Sequence, residues 1–335
     1  MILLTGGMGY VGSHVCVALV SAGYDVLILD NLDNSDRQVL DRIEKILGKR
    51  PRFVEGDIRN TDFLQQVFRG NEVQAVMHFA GLKAVGESVA QPMLYYDNNV
   101  VGTHSLLRAM LAADVKRLVF SSSATVYSSS SPSPIDEGAA RAASNPYGRT
   151  KLVIEDMLAD VHQATPGLSI ACLRYFNPVG AHESGLIGER PRGVPNNLMP
   201  YLCQVAAGLR EKLSVFGADY PTPDGTGVRD FIHVMDLAQG HVDALRYCER
   251  SEGFTPINLG TGTGHSVLEL VREFESVTGR AVPFEVVGRR AGDVAECWAN
   301  PGKARDLLGW QSVRGLRQMC EDSWRWQVSL GGEVP

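Results

Sequence analysis

The sequence has no surplus of positive charge. Its 335 residues carry 32 Lys and Arg against 38 Asp and Glu, a formal net charge of -6. Nucleic-acid binding rests on clustered cations, so this balance argues against a DNA or RNA partner. No apolar run reaches membrane-spanning length. The start of the chain lacks a basic segment, an apolar segment and a small-residue cleavage site, so the chain reads as cytoplasmic, with no membrane partner. No Cys-x-x-Cys pair occurs. The six cysteines, Cys16, Cys172, Cys203, Cys248, Cys297 and Cys320, are scattered and read as reduced thiols. The eight histidines show no metal-ligand spacing, so no metal is expected, and His233 and His241 read as structural.

What is present is alternation. Strand patterns at Met1–Thr5, Asp25–Leu29, Arg52–Glu55, Ala75–His78, Arg117–Ser121 and Ser169–Phe176 alternate with helical ones. The helices fall at Val11–Ala22, Gln38–Leu47, Thr61–Phe68, Pro92–Ala112 and Pro146–Gln163. Such alternation predicts an α/β fold with a doubly wound parallel sheet, Rossmann-type, binding ligands at the carboxyl ends of its strands. Beyond Phe176 the texture changes to Gly, Pro and Asn over 177–230. A helix at Val234–Arg250, a strand at Pro256–Leu259, a helix at Ser266–Thr278 and a strand at Pro283–Val287 follow. The division is therefore 1–176, a dinucleotide-binding domain to which segments near 229–260 return, and 177–335, a smaller α/β substrate-binding domain. Ser128–Ser131 with Pro132 and Pro134 reads as a loop.

The turn Thr5-Gly6-Gly7-Met8-Gly9-Tyr10-Val11-Gly12 joins the first strand to the first helix. Gly6 permits a tight turn, Gly9 lets the backbone approach a pyrophosphate, and Gly12 lets helix and strand pack closely. The helix start then presents free N–H groups and a positive dipole end. Asp30 ends the second strand at the spacing of a ribose-binding acid. A carboxylate there accepts from a 2′-hydroxyl and repels a 2′-phosphate, which favours NAD over NADP, although Arg37 lies nearby. Asp57 and Ile58 follow the third strand, and Phe79, Ala80 and Gly81 the fourth, where a cofactor would lie.

Tyr147 and Lys151 are four apart at the start of a helix with Asn145 as cap and Pro146 in the first position. They share one face. Ser123 falls just past the fifth strand, at the edge that carries the glycine turn. Oxidising a secondary alcohol by hydride transfer requires removal of the hydroxyl proton. A free tyrosine titrates near ~10; an adjacent ammonium and a cationic nicotinamide stabilise its phenolate. Lowering it by about three units takes about 4 kcal/mol. Ser123 can bond the substrate oxygen and relay the proton.

With the segments TGGMGYVGSH, EGDIRN, HFAGLKAVGES, YYDNNV, SSSATVY, RYFNPVGAH, PNNLMPY and GTGVRDFIHVMDLA, the chain resembles the UDP-glucose (UDP-galactose) 4-epimerase family of the extended short-chain dehydrogenase/reductase superfamily. The resemblance implies transient oxidation at sugar C4 with tightly bound NAD, Tyr147 acting as base. Besides the residues above, it implies an NAD site including Tyr10, Val11, Asn31, Asn34, Ser35, Lys83, Asn98, Ser121, Tyr175 and Phe176. For the UDP-sugar it implies Lys83, Ser123, Thr125, Phe176, Asn177, Asn197, Leu198, Phe216, Arg229, Phe231, Arg290, Asp293 and Cys297. Taken alone, Arg229 and Arg290 would read as surface charges; two guanidinium forks suit a pyrophosphate. The family commonly dimerises through the helices near 92–112 and 146–163, which implies a homodimer; the same apolar stripes also fit core.

The chain departs from the family pattern at Arg149-Thr150, Ser128 and Phe231. Cys297 occupies the family's gate over the sugar's C2 side. A small residue there leaves room for an N-acetyl group, so UDP-N-acetylglucosamine becomes a candidate substrate. The same Cys also fits a small packing residue. A 4,6-dehydratase would need an acid and a base after Ser123, where Ala124 and Thr125 stand. A sensor of NAD and sugar would have no need of an intact trio.

Overall fold

The computed structural model describes residues 1–290 and 292–331. In chain order the first half runs β1 (Ile2–Thr5), α1 (Tyr10–Ser21), β2 (Val26–Asp30), α2 (Gln38–Leu47), β3 (Arg52–Glu55), α3 (Thr61–Arg69) and β4 (Ala75–His78). Then come α4 (Val85–Ala90), α5 (Pro92–Tyr95), a π-helical turn (Tyr96–Val101), α6 (Gly102–Ala112), β5 (Arg117–Ser123), α7 (Pro146–Ala164) and β6 (Ser169–Tyr175). The second half contains β7 (Asn177–Val179), α8 (Leu198–Ala206), β8 (Leu213–Phe216), β9 (Val228–Arg229), β10 (Phe231–His233), α9 (Val234–Arg250) and β11 (Gly253–Leu259). It closes with β12 (His265–Ser266), α10 (Val267–Thr278), β13 (Phe284–Val287), β14 (Glu296–Cys297), α11 (Gly302–Leu308) and α12 (Leu316–Ser329).

Seven strands form one parallel sheet in the order β11-β6-β5-β4-β1-β2-β3. β11 enters it from the second half of the chain. Strand residues alternate between two apolar layers, because both faces are covered. Leu4, Ile28, Met77, Val119, Ala171 and Ile257 pack with α1 and α9. Leu3, Leu27, Val76, Leu118, Phe120 and Ile170 pack with α3, α6 and α7. A third core joins α8, α10 and α12 to β8 and β10. The order reverses between β1 and β4, and ligands of open sheets bind at the carboxyl ends beside such a switch.

Two expectations need correction. The single helix over Pro92–Ala112 is three pieces, α5, the π turn and α6. A π turn inserts one residue into the helical ladder and often occurs at functional sites; here it carries Asn98 and Asn99. α8 falls where the Gly-, Pro- and Asn-rich texture of 177–230 gave no helical period, and α4, just before Pro92, had no expected counterpart. His233 precedes α9 and caps it, accepting from the Met235 amide at 3.0 Å.

A buried histidine ties the switch point together. The Thr103 hydroxyl donates to the Asn99 carbonyl at 2.6 Å and lies 2.8 Å from His78 Nε2, so that nitrogen carries the proton. His78 Nδ1 then accepts from Thr5 at 2.7 Å. Burial pushes His78 down to about 3, so the ring is neutral and links β1, β4 and α6.

Among the described residues no helix is long and apolar enough to cross a membrane. No cluster of metal-ligating side chains occurs among them. All six cysteines are free thiols.

Candidate active site

The glycine turn is shaped by contact rather than by flexibility. Gly6 has φ of +69°, and a Cβ there would lie 2.5 Å from the Ala80 nitrogen, at the end of β4. A Cβ at Gly12 would lie 2.3 Å from the Gly6 carbonyl oxygen. Backbone therefore fills the space on one side of the turn. On the other, the first-turn amides of Tyr10, Val11 and Gly12 lack intrahelical acceptors. No side chain caps this helix at Gly9. This is the cradle a dinucleotide pyrophosphate requires.

Asp30 is 7% exposed and stands below this turn. It accepts from the Met8 amide at 3.0 Å, the Leu32 amide at 2.9 Å and the Ser35 hydroxyl at 2.8 Å. A carboxylate has about four acceptor sites, so about one remains for a ribose hydroxyl. Arg37 stacks on Phe53 and pairs with Glu55, so its charge is engaged away from Asp30. Asn31 bridges toward Asp57 at 3.4 Å, and Asp57 is held by Arg59. The Arg59 guanidinium holds the Asp57 carboxyl below its usual range. Asn34 is exposed at the rim, while Ile58 is buried beneath Gly102.

The helix that carries Tyr147 and Lys151 starts as its sequence dictates. Asn145 accepts from the Gly148 amide at 2.9 Å, and Pro146 fills the first position. Ser123 ends β5 rather than lying past it, and Thr125 donates to its hydroxyl at 2.9 Å. Tyr147 is half-buried beside it. Burial pushes its phenol upward, and a hydrogen bond from Ser123 pulls it back. Lys151 is 5% exposed; its ammonium donates to the Ser121 carbonyl at 2.6 Å and lies 4.8 Å over the Phe120 ring. Burial lowers it to about 8, with Glu155 opposing. A Cβ at Gly81 would lie 3.9 Å from this ammonium, so the trio and the glycine turn meet at one edge.

Two contacts that sequence reasoning missed hold this geometry. Glu155, four residues after Lys151, is fully buried. It accepts from Arg174 at 2.6 and 2.9 Å and from the Ser122 hydroxyl at 2.5 Å, pinning α7 to the sheet. Asn99 accepts from the Leu82 amide at 2.8 Å and donates to Thr150 at 3.1 Å. Thr150, one of the departures from the family pattern, thus ties α7 to the loop of Lys83. Neighbouring Asn98 donates to Asn99 at 3.1 Å. The sequence signal was the adjacent pair of asparagines, but only the π turn decides which one faces inward.

Elsewhere cations are matched with carboxylates. Lys83 and Asn197, the cap residue of α8, both donate to Glu189 at 2.7 Å. Arg290 donates to Asp293 at 2.9 Å, and Arg229 lies 3.8 Å from the same carboxylate. The Arg290 guanidinium also lies 5.6 Å over Phe216, which is 44% exposed. Cys297 pairs in register with Arg229. It packs in a small cluster with Phe176, Ala124 and Leu152, the last two flanking the trio in sequence. Ala291, between Arg290 and Asp293, lies outside the described residues.

Other expected contacts take different forms. The Tyr10 hydroxyl is spent on the Gly180 carbonyl at 2.7 Å, leaving its amide and ring for a ligand. Phe231 is buried in the third core, and Leu198 packs against that core. Asn177 is exposed on β7, beside Phe231 of β10. Phe79 packs on His241, at 4.9 Å between ring centroids. A polar hollow of about 500 Å³ lined by Lys116, Arg117 and Glu249 lies at the opposite, amino-terminal edge of the strands, away from this chemistry.

Known proteins resemble this chain over nearly its whole length. A family model described as GDP-mannose 4,6 dehydratase matches residues 3–323. The UDP-glucose 4-epimerase of Bacillus subtilis is 57% identical over 328 residues, 98% of this chain and 97% of that one. The chain belongs to the UDP-glucose 4-epimerase family. The Stenotrophomonas maltophila UDP-glucose-4-epimerase, solved with NAD and formylated UDP-arabinopyranose, superposes with a TM-score of 0.96. It is 52% identical over 98% of both chains. The Bifidobacterium longum UDP-glucose 4-epimerase, solved with NAD+ and UDP, gives 0.95 at 47% identity over 99% of both. The doubly wound parallel sheet is the fold these neighbours share.

Proposed function

We propose that the chain interconverts UDP-glucose and UDP-galactose by transient oxidation at sugar C4, holding NAD throughout turnover. What carries the reading is the trio of Ser123, Tyr147 and Lys151, two of them buried and Tyr147 half-buried, beside a glycine turn with room for a pyrophosphate. Residues 1–176 would hold the dinucleotide and residues 177–335 the UDP-sugar. Gly6, Gly9 and Gly12 leave the pyrophosphate its path, and Asp30 favours a free 2′-hydroxyl. When bound, NAD supplies a reversible acceptor for the C4 hydride and a positive charge near the phenol.

The chain's own residues handle the proton. Ser123 hydrogen-bonds the sugar 4-oxygen and orients it toward Tyr147. Tyr147 takes the hydroxyl proton in one direction and returns it in the other. Burial alone drives the phenol the wrong way. Its acidity therefore depends on cations, of which Lys151 is the one the protein supplies. Arg229 and Arg290 would exchange Asp293 for the substrate pyrophosphate, and Lys83 and Asn197 would release Glu189 as ligands enter. Charge-for-charge exchange keeps these cations paired in both states.

Tyr147→Phe is expected to keep its NAD content and melting temperature. Its kcat for UDP-galactose to UDP-glucose, without added reductant, should fall by about 10³-fold or more, since the general base is lost. A variant as fast as the parent would show that Tyr147 is not the base.

Cys297 supports a second substrate class. It is half-buried at the rim of the cluster with Phe176, and it is far smaller than a tyrosine. The protein is expected to turn over UDP-N-acetylglucosamine as well. Cys297→Tyr should cut that activity about 10-fold or more while changing UDP-glucose turnover about 2-fold at most. Absence of any turnover of the N-acetylated sugar by the parent would refute this.

We also propose a homodimer through α5, the π turn and α7. Val89, Met93, Leu94, Val101 and Val153 are large apolar side chains exposed on this surface and its α4 neighbour, and such patches mark interfaces. Sedimentation at micromolar concentration should give the mass of two chains, and Met93→Asp with Val101→Asp one chain. A parent sedimenting as a single chain contradicts the proposal.

A further inference from the structure

One short segment of the second half reaches back to the carboxyl ends of three sheet strands. Gly188 bridges to Ala181, and a Cβ at Gly188 would lie 2.4 Å from the Trp326 ring, so the chain lies flat against that indole. The Trp326 indole N–H donates to the Glu189 carbonyl at 3.0 Å. This anchors the segment on α12.

Its ties to the first half follow the sheet order β4-β1-β2. After β4, Lys83 donates to the Glu189 carboxylate at 2.7 Å. After β1, Tyr10 and Glu189 share the wall of a small cavity, and the Lys83 ammonium lies 5.8 Å over the Tyr10 ring. After β2, the exposed Arg192 guanidinium donates to three carbonyls, those of Asp33, of Leu32 at 3.3 Å and of Ser35 at 2.7 Å. Glu189 and Arg192 are three residues apart, and three extended residues reach about 10 Å. Two strand spacings come to about 9.5 Å. The backbone alone is therefore long enough to cross from one flank of the glycine turn to the other.

The loop that Arg192 grips is the one folded around Asp30. Leu32 has φ of +60°, a region that disfavours a side chain. From inside, Asp30 holds this shape by accepting from the Leu32 amide and the Ser35 hydroxyl. From outside, one guanidinium joins three carbonyls that the turn brings together. Lys83 is paired with a carboxylate, which a ligand phosphate can replace. The partners of Arg192 are neutral backbone groups, so its tie is of a different kind.

We propose that Arg192 is a positioning residue that straps residues 188–192 across the dinucleotide cradle and slows the escape of NAD between turnovers. This rests on the reading of the glycine turn and Asp30 as the NAD site. The tie after β4 opens when Lys83 leaves Glu189 for a ligand, whereas the tie after β2 stays closed. The adenosine end can leave only when the bonds from Arg192 break together.

The test is the rate at which bound NAD leaves. Parent and variants are loaded with radiolabelled NAD and diluted into excess unlabelled NAD. The label still bound is counted over time after gel filtration, and circular dichroism checks the fold. Arg192→Ala should release label about 5- to 30-fold faster than the parent, the range for losing charge-assisted bonds at an exposed site. Arg192→Lys keeps a cation without the planar fork and should fall between the two. Arg37→Ala removes another exposed cation, two residues beyond Ser35, and should release at the parent rate. Release from Arg192→Ala at the parent rate, or an Arg37→Ala variant as fast as Arg192→Ala, overturns the strap. If the parent retains label and Arg192→Ala retains it equally well, only the strap fails. A parent that retains no label refutes the NAD reading beneath it.

Discussion

One ammonium buried at the carboxyl edge of the sheet, that of Lys151, constrains the rest of this molecule. A cation removed from water is costly unless its surroundings replace the lost hydration. Here the Ser121 carbonyl, the Phe120 ring and the nearby Glu155 carboxylate take that part. Burial still draws the group down to about 8, which leaves it mainly charged at neutral pH. The same burial makes its field strong at short range, because little water screens it. In the proposed mechanism Tyr147, half-buried, would need that field, since its own desolvation disfavours the phenolate.

Holding such a pair in place demands rigid support, and the fold supplies it from several directions. Glu155 and Arg174 lock α7 onto β5 and β6 through an ion pair with Ser122. Asn99 locks α7 to the loop after β4. His78 joins β4 to β1, whose end forms the glycine turn. The glycine turn and the side chains of Ser123, Tyr147 and Lys151 are thus parts of one packed edge. The cations beyond this edge are paired differently. Glu189 holds Lys83 and Asp293 holds Arg290, so under the proposed function binding would be an exchange of partners rather than the filling of a bare charged cleft.

The strands of the seven-stranded sheet, the glycine turn and the start of α7 were legible because each obeys a local rule. Apolar runs bounded by turns, a glycine where φ is positive, and Asn-Pro before a helix leave little choice. The π turn was not legible, since Pro92–Ala112 has the composition of one continuous helix and only tertiary contacts insert the extra residue. α8 was hidden because Pro200 sits in its first turn within a stretch rich in loop formers. Ser123, Tyr147 and Lys151 could be named from spacing and strand ends. Glu189, Asn99 and Glu155 could not, because their partners lie far along the chain and no spacing rule links them.

The most direct test of the central electrostatic claim is a titration of the Tyr147 phenol itself. Ultraviolet difference spectra between NAD-loaded protein and its Tyr147→Phe variant, taken across pH, isolate that one group among the ten tyrosines. The account predicts one phenolate appearing around pH ~7, about three units below a free tyrosine. A phenol that stays protonated until about pH 10 with NAD bound would contradict it.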